Sequence, residues 1–354
     1  PSIYSDNYKA EMSDDGTYKL VLNSGYVYDG FGETNNTETD IPTYIKIGNK
    51  LFKSDFTALP ENITAIDNGG VLEVILNNYN SSVPLSVCAP NGVNITLNGN
   101  NYICYETSQK SVYSPVNVTF SGSGNLYSGV IETAELAANN NSLNISTGNA
   151  VGNGYALKTA FTSSAMVNID TKFDTAIELT GSSTIKSGEI NISNAATGIS
   201  GNFTLTIKEQ LKVSNCKYGI TVGKVNVFEN AGCTITNAKT AITAKSLELS
   251  GKLTIKDTTE SAIILSGSAE AITFTDASVL TISSTDKVET AAINMSSFNN
   301  LITLKGEINI SGYTYGFYTE ASGQYKAETE NFIFNEKSGY QKKSSALKGF
   351  APQA

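Results

Sequence analysis

The chain has 354 residues, with 24 basic and 33 acidic side chains and a formal net charge of −9. Every basic residue is Lys, and the sequence contains no Arg, His or Trp. The negative charge argues against nucleic acid as a partner, because nucleic-acid binding needs clustered positive charge. No apolar run is long enough for a membrane span. No signal peptide precedes Pro1, so we expect that any leader has been removed.

Residues 1–70 lack the repeat found in the rest of the chain. They are rich in Tyr and contain three strand-like phrases between Gly, Asn and Asp turns: YKLVL from Tyr18, YVYDGF from Tyr26 and TYIKIG from Thr43. A solenoid needs a cover over its terminal coil, because an exposed strand edge invites further pairing. We therefore predict that residues 1–70 form an N-terminal β-rich cap or small β-domain.

A short phrase recurs every twenty-odd residues between Val71 and about Asn335. Its first aliphatic position falls at Leu143, Val167, Ile190, Leu211, Cys233, Leu253, Leu280 and Ile308. Aliphatic and polar residues alternate within the phrase, which predicts a strand. Each period contains two more strand-like phrases, such as YGITV from Tyr218 and VNVFE from Val225.

Three short strands in about 22 residues indicate one coil of a right-handed parallel β-helix, with coils stacked about 4.8 Å apart. The predicted fold class is therefore all-β, with the solenoid at residues 71–335. The longer periods between Ser268 and Ala292 predict loops on one side. Residues 336–354 have no period and are interpreted as a tail or linker.

The four cysteines do not form a recognisable disulfide framework. Cys233 occupies an inward position and Cys216 a turn, so we do not expect these two to be bonded. Cys88 and Cys104 flank one coil, and a bond between them is left open.

The coil period and phrases such as VNITLNGNN (Val93 to Asn101) and VNVTFSGSGNL (Val116 to Leu126) resemble the pectin-lyase-like right-handed parallel β-helix superfamily. The resemblance covers roughly residues 71–335. It implies an architecture shared by polysaccharide lyases, hydrolases, adhesins and phage tailspikes, and says little about activity.

The resemblance also implies what an enzyme of this fold would need. Such lyases use acidic Ca²⁺ clusters with an Arg or Lys base, and such hydrolases use grouped Asp residues, often with a His. Neither set transfers to this chain, although burial can adapt a Lys as a base. The acidic phrase with Asp170, Asp174 and Glu178 is interpreted as solvated outward positions. We therefore assign no catalytic residue, metal site or cofactor.

Many Asn residues lie in Asn-x-Ser/Thr sequons. Glycosylation is one interpretation, but a strand with Asn outward, Ile inward and Ser outward produces the sequon by itself, as at Asn144, Asn191 and Asn309. We favour this second interpretation. One predicted outward ladder comprises Asn144, Asn168, Asn191, Lys212, Thr234, Thr254, Thr281 and Asn309. Its Lys and Asn members argue against an ice-binding Thr array, whereas its hydroxyls and amides suit sugar hydroxyls.

Aromatic residues gather near the C-terminal coil, where alternation points Phe317 inward and Tyr318 outward. They are interpreted as a cap over the last coil or as a surface for the apolar face of a sugar. For sugar binding, the best candidates are Tyr315 and Tyr318, with Asn294 and Asn309 nearby.

The sequence predicts a non-catalytic bacterial β-helix protein, extracellular or at the cell surface, that is adhesin-like or carbohydrate-binding. The expected partner is a polysaccharide or a host or cell-surface glycan. Two alternatives remain: a polysaccharide lyase or glycoside hydrolase that uses Lys and carboxylates, and a structural spacer of a larger surface protein.

Overall fold

The computed structural model describes residues 41–53, 56–266, 272–295 and 306–318, and the backbone of short strands before and after these ranges. The chain forms two compact units, Pro1–Asp40 and Ile41–Ala354. In the first unit, β1 (Tyr8–Met12) pairs antiparallel with β2 (Tyr18–Leu22). The strand predicted at Tyr18 is thus confirmed, whereas the one predicted at Tyr26 lies outside the described residues.

Antiparallel strands begin the second unit. They are β3 (Tyr44–Ile47), β4 (Lys50–Phe52) and β5 (Ile63–Asn68). β3 pairs antiparallel with β4 and with Leu85–Cys88, and β5 pairs antiparallel with Val71–Asn77. β3 and β5 thus hydrogen-bond to the first coil, which is how a solenoid covers a terminal edge. The predicted division at residue 70 stays a prediction.

The remaining strands form the solenoid. They are β6 Val71–Asn77, β7 Asn80–Ser81, β8 Leu85–Cys88, β9 Val93–Asn98, β10 Asn100–Ile103, β11 Lys110–Ser114, β12 Val118–Ser121, β13 Asn125–Ser128, β14 Val130–Leu179, β15 Ser183–Ile185, β16 Glu189–Ser193, β17 Thr197–Ser200, β18 Thr204–Ile207, β19 Gln210–Ser214, β20 Tyr218–Val227, β21 Gly232–Thr236, β22 Thr240–Leu249, β23 Lys252–Lys256, β24 Ile263–Leu265, β25 Ile272–Phe274, β26 Val279–Asn294, β27 Ile302–Leu304, β28 Glu307–Tyr318, β29 Tyr325–Ala327 and β30 Phe332–Phe334.

Between the first and last coils, the solenoid strands pair in parallel with the strands one coil before and one coil after them. Ile190 of β16, for example, pairs with Val167 and with Leu211. The result is a parallel β-solenoid of about 10 turns with coils of about 22 residues, and the described residues contain no helix. The predicted all-β solenoid is confirmed, including its three strands per coil, as in β16, β17 and β18.

The core is a set of aliphatic ladders that run along the axis. The predicted inward positions from Leu143 to Ile308 are all buried. An aliphatic side chain gains roughly 1.5 to 3 kcal/mol from full burial. Because each coil contributes the same few positions, stacking coils lengthens one narrow core instead of widening it.

All four cysteines are buried free thiols, so Cys88 and Cys104 are not joined. Burial raises the pKa of Cys88 and of Cys216 to about 11, and that of Cys233 to about 12. These thiols act as small apolar groups of the core.

A turn repeats after the first strand of several coils. Asn194, Asn215, Asn237 and Asp257 occupy it with φ of 67°, 54°, 55° and 54°. Asn and Asp tolerate this left-handed conformation better than other residues with a Cβ. The Asn237 amide also donates to Asn215 Oδ1 at 3.0 Å, so the turns bond to one another from coil to coil.

The longer periods change the geometry of β26. Its pairing with β28 shifts register between Ser283 and Val288 and again between Val288 and Ala291. Part of the extra length is therefore taken up within the strand as bulge-like irregularities. Residues 268–271, at the start of the segment for which we predicted loops, lie outside the described residues.

Candidate functional site

The predicted aromatic site lies on β28. Register pairs Tyr318 with Asn294 and Tyr315 with Ala291, so Asn294 and Tyr318 belong to one lateral ladder. Phe317 is buried, as alternation predicts. The side chains of Tyr315 and Tyr318 lie outside the described part of the structure, so their contact with sugar stays a prediction.

Asn309 belongs to a different ladder from Asn294. It pairs with Thr281 on the preceding coil, and its amide donates to Glu307 Oε1 at 2.6 Å. The structure therefore brings Asn294 beside Tyr318 and places Asn309 on the outward ladder that begins with the early Asn residues.

A tyrosine cluster on the first coils is the most distinctive surface feature. Tyr102 on β10 and Tyr127 on β13 occupy paired outward positions, and their rings stack with centroids 4.6 Å apart and an interplanar angle of 10°. The Tyr105 ring stands at 74° to Tyr102 and 82° to Tyr127. Because the stack runs from coil to coil, the plane of Tyr105 lies roughly along the solenoid axis. All three rings are partly exposed.

A tight turn after β10 positions Tyr105. Cys104 and Glu106 have positive φ values of 44° and 58°, and the Thr107 hydroxyl donates to the Cys104 carbonyl at 2.7 Å. Gly148 allows a close approach to this turn, since a Cβ there would lie 2.6 Å from the Glu106 carbonyl oxygen. The turn is thus fixed by local hydrogen bonding and by the neighbouring corner of the solenoid.

A cavity of about 310 Å³ lies next to the cluster. The preceding coil places Asn80 opposite Tyr102, so the Tyr stack ends there, and both residues line the cavity. Ser81 and Ser82 add polar groups, and Tyr105 forms part of the wall. An aromatic wall with a few hydroxyls and amides is the usual composition of a sugar-sized site.

Two carboxylates, those of Glu106 and Asp170, act on Tyr105. Burial raises the pKa of Tyr105, and the negative charges of Glu106 and Asp170 contribute to the same shift. No lysine is among the residues that line the cavity. The site is therefore electronegative and suits an uncharged ligand better than an acidic one.

The Tyr ladder continues as a row of asparagines. Tyr127 pairs with Asn144 on the next coil. Asn168 donates to Asn144 Oδ1 at 2.9 Å, and Asn191 donates to Asn168 Oδ1 at 3.0 Å. The register then continues through Lys212, which confirms the outward ladder predicted from sequence. We call Tyr127, Asn144, Asn168 and Asn191 the polar rail.

A second lateral ladder contains a charged cluster. Glu132 accepts a hydrogen bond from Tyr155, and Lys110 Nζ lies 2.7 Å from Glu132 Oε2. Lys158 pairs with Glu178 at 3.0 Å and lies 5.0 Å from the centroid of the Tyr155 ring.

The pKa values of Glu132 and Tyr155 are shifted in opposite directions. Burial favours the protonated form of Glu132, but hydrogen bonds from Lys110 and Tyr155 outweigh it and lower the pKa of Glu132. Burial and the hydrogen bond to Glu132 raise the pKa of Tyr155. The cluster thus contains an ionised carboxylate held by donors, and Tyr155 stays protonated as one of those donors.

The acidic residues Asp170, Asp174 and Glu178 do not come together in one site. Asp170 is exposed, and its Oδ1 accepts from Ser193 at 3.2 Å and from Asn194 at 2.7 Å. Glu178 instead pairs with Lys158 on the second ladder. The interpretation of these residues as outward and solvated is confirmed for Asp170 and Asp174, which are exposed, whereas Glu178 is half-buried in an ion pair.

The Thr part of the outward ladder is short. Thr234, Thr254 and Thr281 follow one another in register, between Lys212 and Asn309. Lys252 and Lys256 flank Thr254 on the same strand and line a groove of about 400 Å³. A flat Thr array is thus limited to three coils and flanked by charge.

Comparison with protein-family models, with curated proteins and with solved structures finds no match for this chain. Across the described residues, no group of three or more His, Cys, Asp or Glu side chains could hold a metal ion, and no helix could cross a membrane. The fold defines the chain as a parallel β-solenoid protein.

Sequence reasoning missed the Tyr cluster because the first coils depart from the common period. Leu126 pairs with Leu143, only 17 positions later. A search for periods above twenty therefore stops at Leu143. The signal was nevertheless present, since NYI at Asn101 and LYS at Leu126 place Tyr at equivalent positions.

Proposed function

We propose that the protein is a non-catalytic β-solenoid that binds carbohydrate, with its principal site in the cavity beside Tyr102 and Tyr105. The single observation that supports this most is the cavity that Tyr102 and Tyr105 line together with Asn80, Ser81 and Ser82. An apolar sugar face can pack on Tyr105, whose plane lies roughly along the solenoid axis, while the sugar hydroxyls bond the polar lining.

We also propose where the protein is located and what it does there. We propose an extracellular or cell-surface location on a bacterium, with an adhesin-like role toward a polysaccharide or surface glycan. We further propose that the chain belongs to the pectin-lyase-like superfamily. The parallel coils and the absence of Arg and His favour a binding surface over the catalytic sets which that resemblance implies.

The first test measures sugar binding at the Tyr cluster. After a glycan array identifies a bound glycan, we expect Tyr102→Ala to weaken its affinity about tenfold, because one aromatic wall of the cavity is lost. Titration calorimetry measures the affinity of each variant, and a thermal melt checks the fold.

Tyr218→Ala is the matched control, since Tyr218 is a partly exposed Tyr on another strand, β20. Tyr318→Ala serves as the parallel test of the C-terminal site. Unchanged affinity in Tyr102→Ala with an intact fold would remove the cavity from consideration. A loss only in Tyr318→Ala would move the site to the last coils.

The enzyme alternative has one specific observation in its favour, the cluster of Lys110, Glu132, Tyr155 and Lys158. A lyase or hydrolase that uses Lys and carboxylates would place its chemistry there. We expect no release of unsaturated or reducing ends from acidic and neutral polysaccharides, with or without Ca²⁺. Steady product formation that Lys110→Gln abolishes would replace the binding proposal.

A further inference from the structure

Asn168, in the middle of the polar rail, has hydrogen-bonding capacity beyond its two rail partners. A side-chain amide has two N–H donors and two acceptor lone pairs. Asn168 uses one donor on Asn144 and one lone pair for Asn191. One donor and one acceptor of this outward amide therefore remain for solvent or a ligand, and that is the pair a sugar hydroxyl can use.

The rail has the repeat of an extended polysaccharide. Adjacent coils stack about 4.8 Å apart, which is close to the length of one sugar residue in a linear chain with an extended backbone. A polysaccharide aligned with the solenoid axis would therefore meet an equivalent amide at each successive residue. A ligand lying across the axis would reach one coil only.

The rail and the cavity lie on one line. Asn80, Tyr102, Tyr127 and Asn144 follow one another in register on the same ladder. The plane of Tyr105 is roughly parallel to this line because it stands at 74° and 82° to the stacked rings. A chain whose end occupies the cavity can thus pass the Tyr hydroxyls and continue over the asparagines.

The charged side chains beside this line determine whether an acidic or an uncharged polymer is favoured. Asp170 is two residues from Asn168 on the same strand and points outward beside the rail, and Glu106 lies at the cavity end. Lys212, the next ladder position after Asn191, is paired with Glu189 at 2.9 Å. Lys172, two residues beyond Asp170, donates to Asn149 Oδ1 at 3.0 Å and is followed by the exposed Asp174. Carboxylates therefore still outnumber lysines beside this line, which disfavours an acidic polysaccharide.

We infer that the ligand is a linear, uncharged polysaccharide bound along the solenoid axis, with one sugar residue per coil from the Tyr cavity to Asn191. This inference rests on the proposed sugar-binding function and adds the class, direction and length of the ligand. The rail provides four positions, Tyr127, Asn144, Asn168 and Asn191.

The experiment compares short and long ligands. Cello-, xylo- and manno-oligosaccharides from the disaccharide to the hexasaccharide are titrated, with polygalacturonate as the acidic polymer. We expect at least one neutral series to bind about tenfold more tightly as the hexasaccharide than as the disaccharide, because each added hydrogen bond contributes about 0.5 to 1.5 kcal/mol. Polygalacturonate should bind more weakly than this series.

Asn168→Ala separates the rail from the cavity. It should weaken hexasaccharide binding about fivefold and leave disaccharide binding unchanged, whereas Tyr102→Ala weakens both. Asn226→Ala is the matched control, because Asn226 is an outward, partly buried Asn on β20, paired with Thr206 and Glu248 away from the rail. If Asn168→Ala perturbs the fold, Asn144→Ser tests whether an amide of the polar rail contributes to hexasaccharide binding.

The outcomes distinguish the two proposals. Binding that is independent of length but sensitive to Tyr102→Ala would overturn the axial ligand and keep the cavity. Preferred binding of polygalacturonate would overturn the uncharged class. Failure of every glycan on the array to bind would overturn the proposed function and the axial ligand with it.

Discussion

Asparagine occupies two different environments in this solenoid. In the strands, Asn144, Asn168 and Asn191 face outward and bond amide to amide across coils. In the turns, Asn215 and Asn237 adopt positive φ and also bond to each other. A side chain that is short and can both donate and accept satisfies both demands. An Asn in the sequence therefore indicates a strand or a turn only when the residues beside it in the chain are considered as well.

The alternation of inward and outward residues can be tested at one strand. Ile235 is fully buried on β21, whereas Thr234 beside it points outward. We expect Ile235→Asp to destabilise the protein by about 4 kcal/mol or more, because it buries an unpaired charge. Thr234→Asp should change stability by no more than about 0.5 kcal/mol. Thermal melts of the two variants compare them, and equal shifts would contradict the assignment of faces.

At the scale of strands, ladders connect coils by side chains as well as by backbone. The buried hydroxyls of Thr147 and Thr171 lie 2.7 Å apart, and those of Thr133 and Thr159 lie 3.0 Å apart. Both pairs join successive coils within β14, which continues around the corners of the solenoid. Because buried hydroxyls cost free energy unless they are hydrogen-bonded, these pairs fix the register of one coil on the next.

The charged ladder at Glu132 predicts a pH dependence. Its folded pKa is lowered, so its stabilising effect is present above the ordinary glutamate pKa of 4.5 and is lost as the pH falls through the lower folded value. Glu132→Gln should remove this acid-side dependence. It should also cost about 1 to 2 kcal/mol near neutral pH, since charged hydrogen bonds from Lys110 and Tyr155 are weakened. Urea unfolding across acidic pH measures both effects.

Glu248→Gln provides the comparison for that experiment. Glu248 pairs with Lys224, but its side chain is 48% exposed, compared with 20% for Glu132. An exposed pair of this kind contributes little to stability. The Glu132 prediction is wrong if the two variants have the same acid-side profile.

The whole second unit depends on stacking, because no coil encloses a core by itself. Four buried thiols are distributed along it, from Cys88 in the early coils to Cys233 in the middle. Burial raises their pKa values, so the reactive thiolate is scarce in the folded state. Thiol accessibility therefore reports opening of the coils.

We expect Ellman's reagent to find almost no reactive thiol in the native protein and all four after denaturation without a reductant. Ser108→Cys, at an exposed position, should add one thiol that reacts at once. Rapid reaction of a native cysteine would contradict its burial. Detection of only two thiols in denaturant would show a disulfide that the structure does not contain.

The fold follows from the sequence because its signal is periodic. Inward positions such as Ile190, Leu211 and Cys233 recur at nearly constant spacing, and parallel stacking on like positions is the arrangement that buries them all. The outward ladders follow from the same alternation, so the sequence alone predicts that Asn168 lies beside Asn191.

The candidate site required the tertiary structure. Tyr102 and Tyr127 come together because the coil between them brings them into register, and Tyr105 joins them because the turn at Cys104 has left-handed residues. The cavity exists because Asn80, and not a third Tyr, lies opposite Tyr102. Strand pattern determines which residues face outward. Which of them are neighbours depends on coil lengths and turn conformations, and these are set by packing between coils that are distant in sequence.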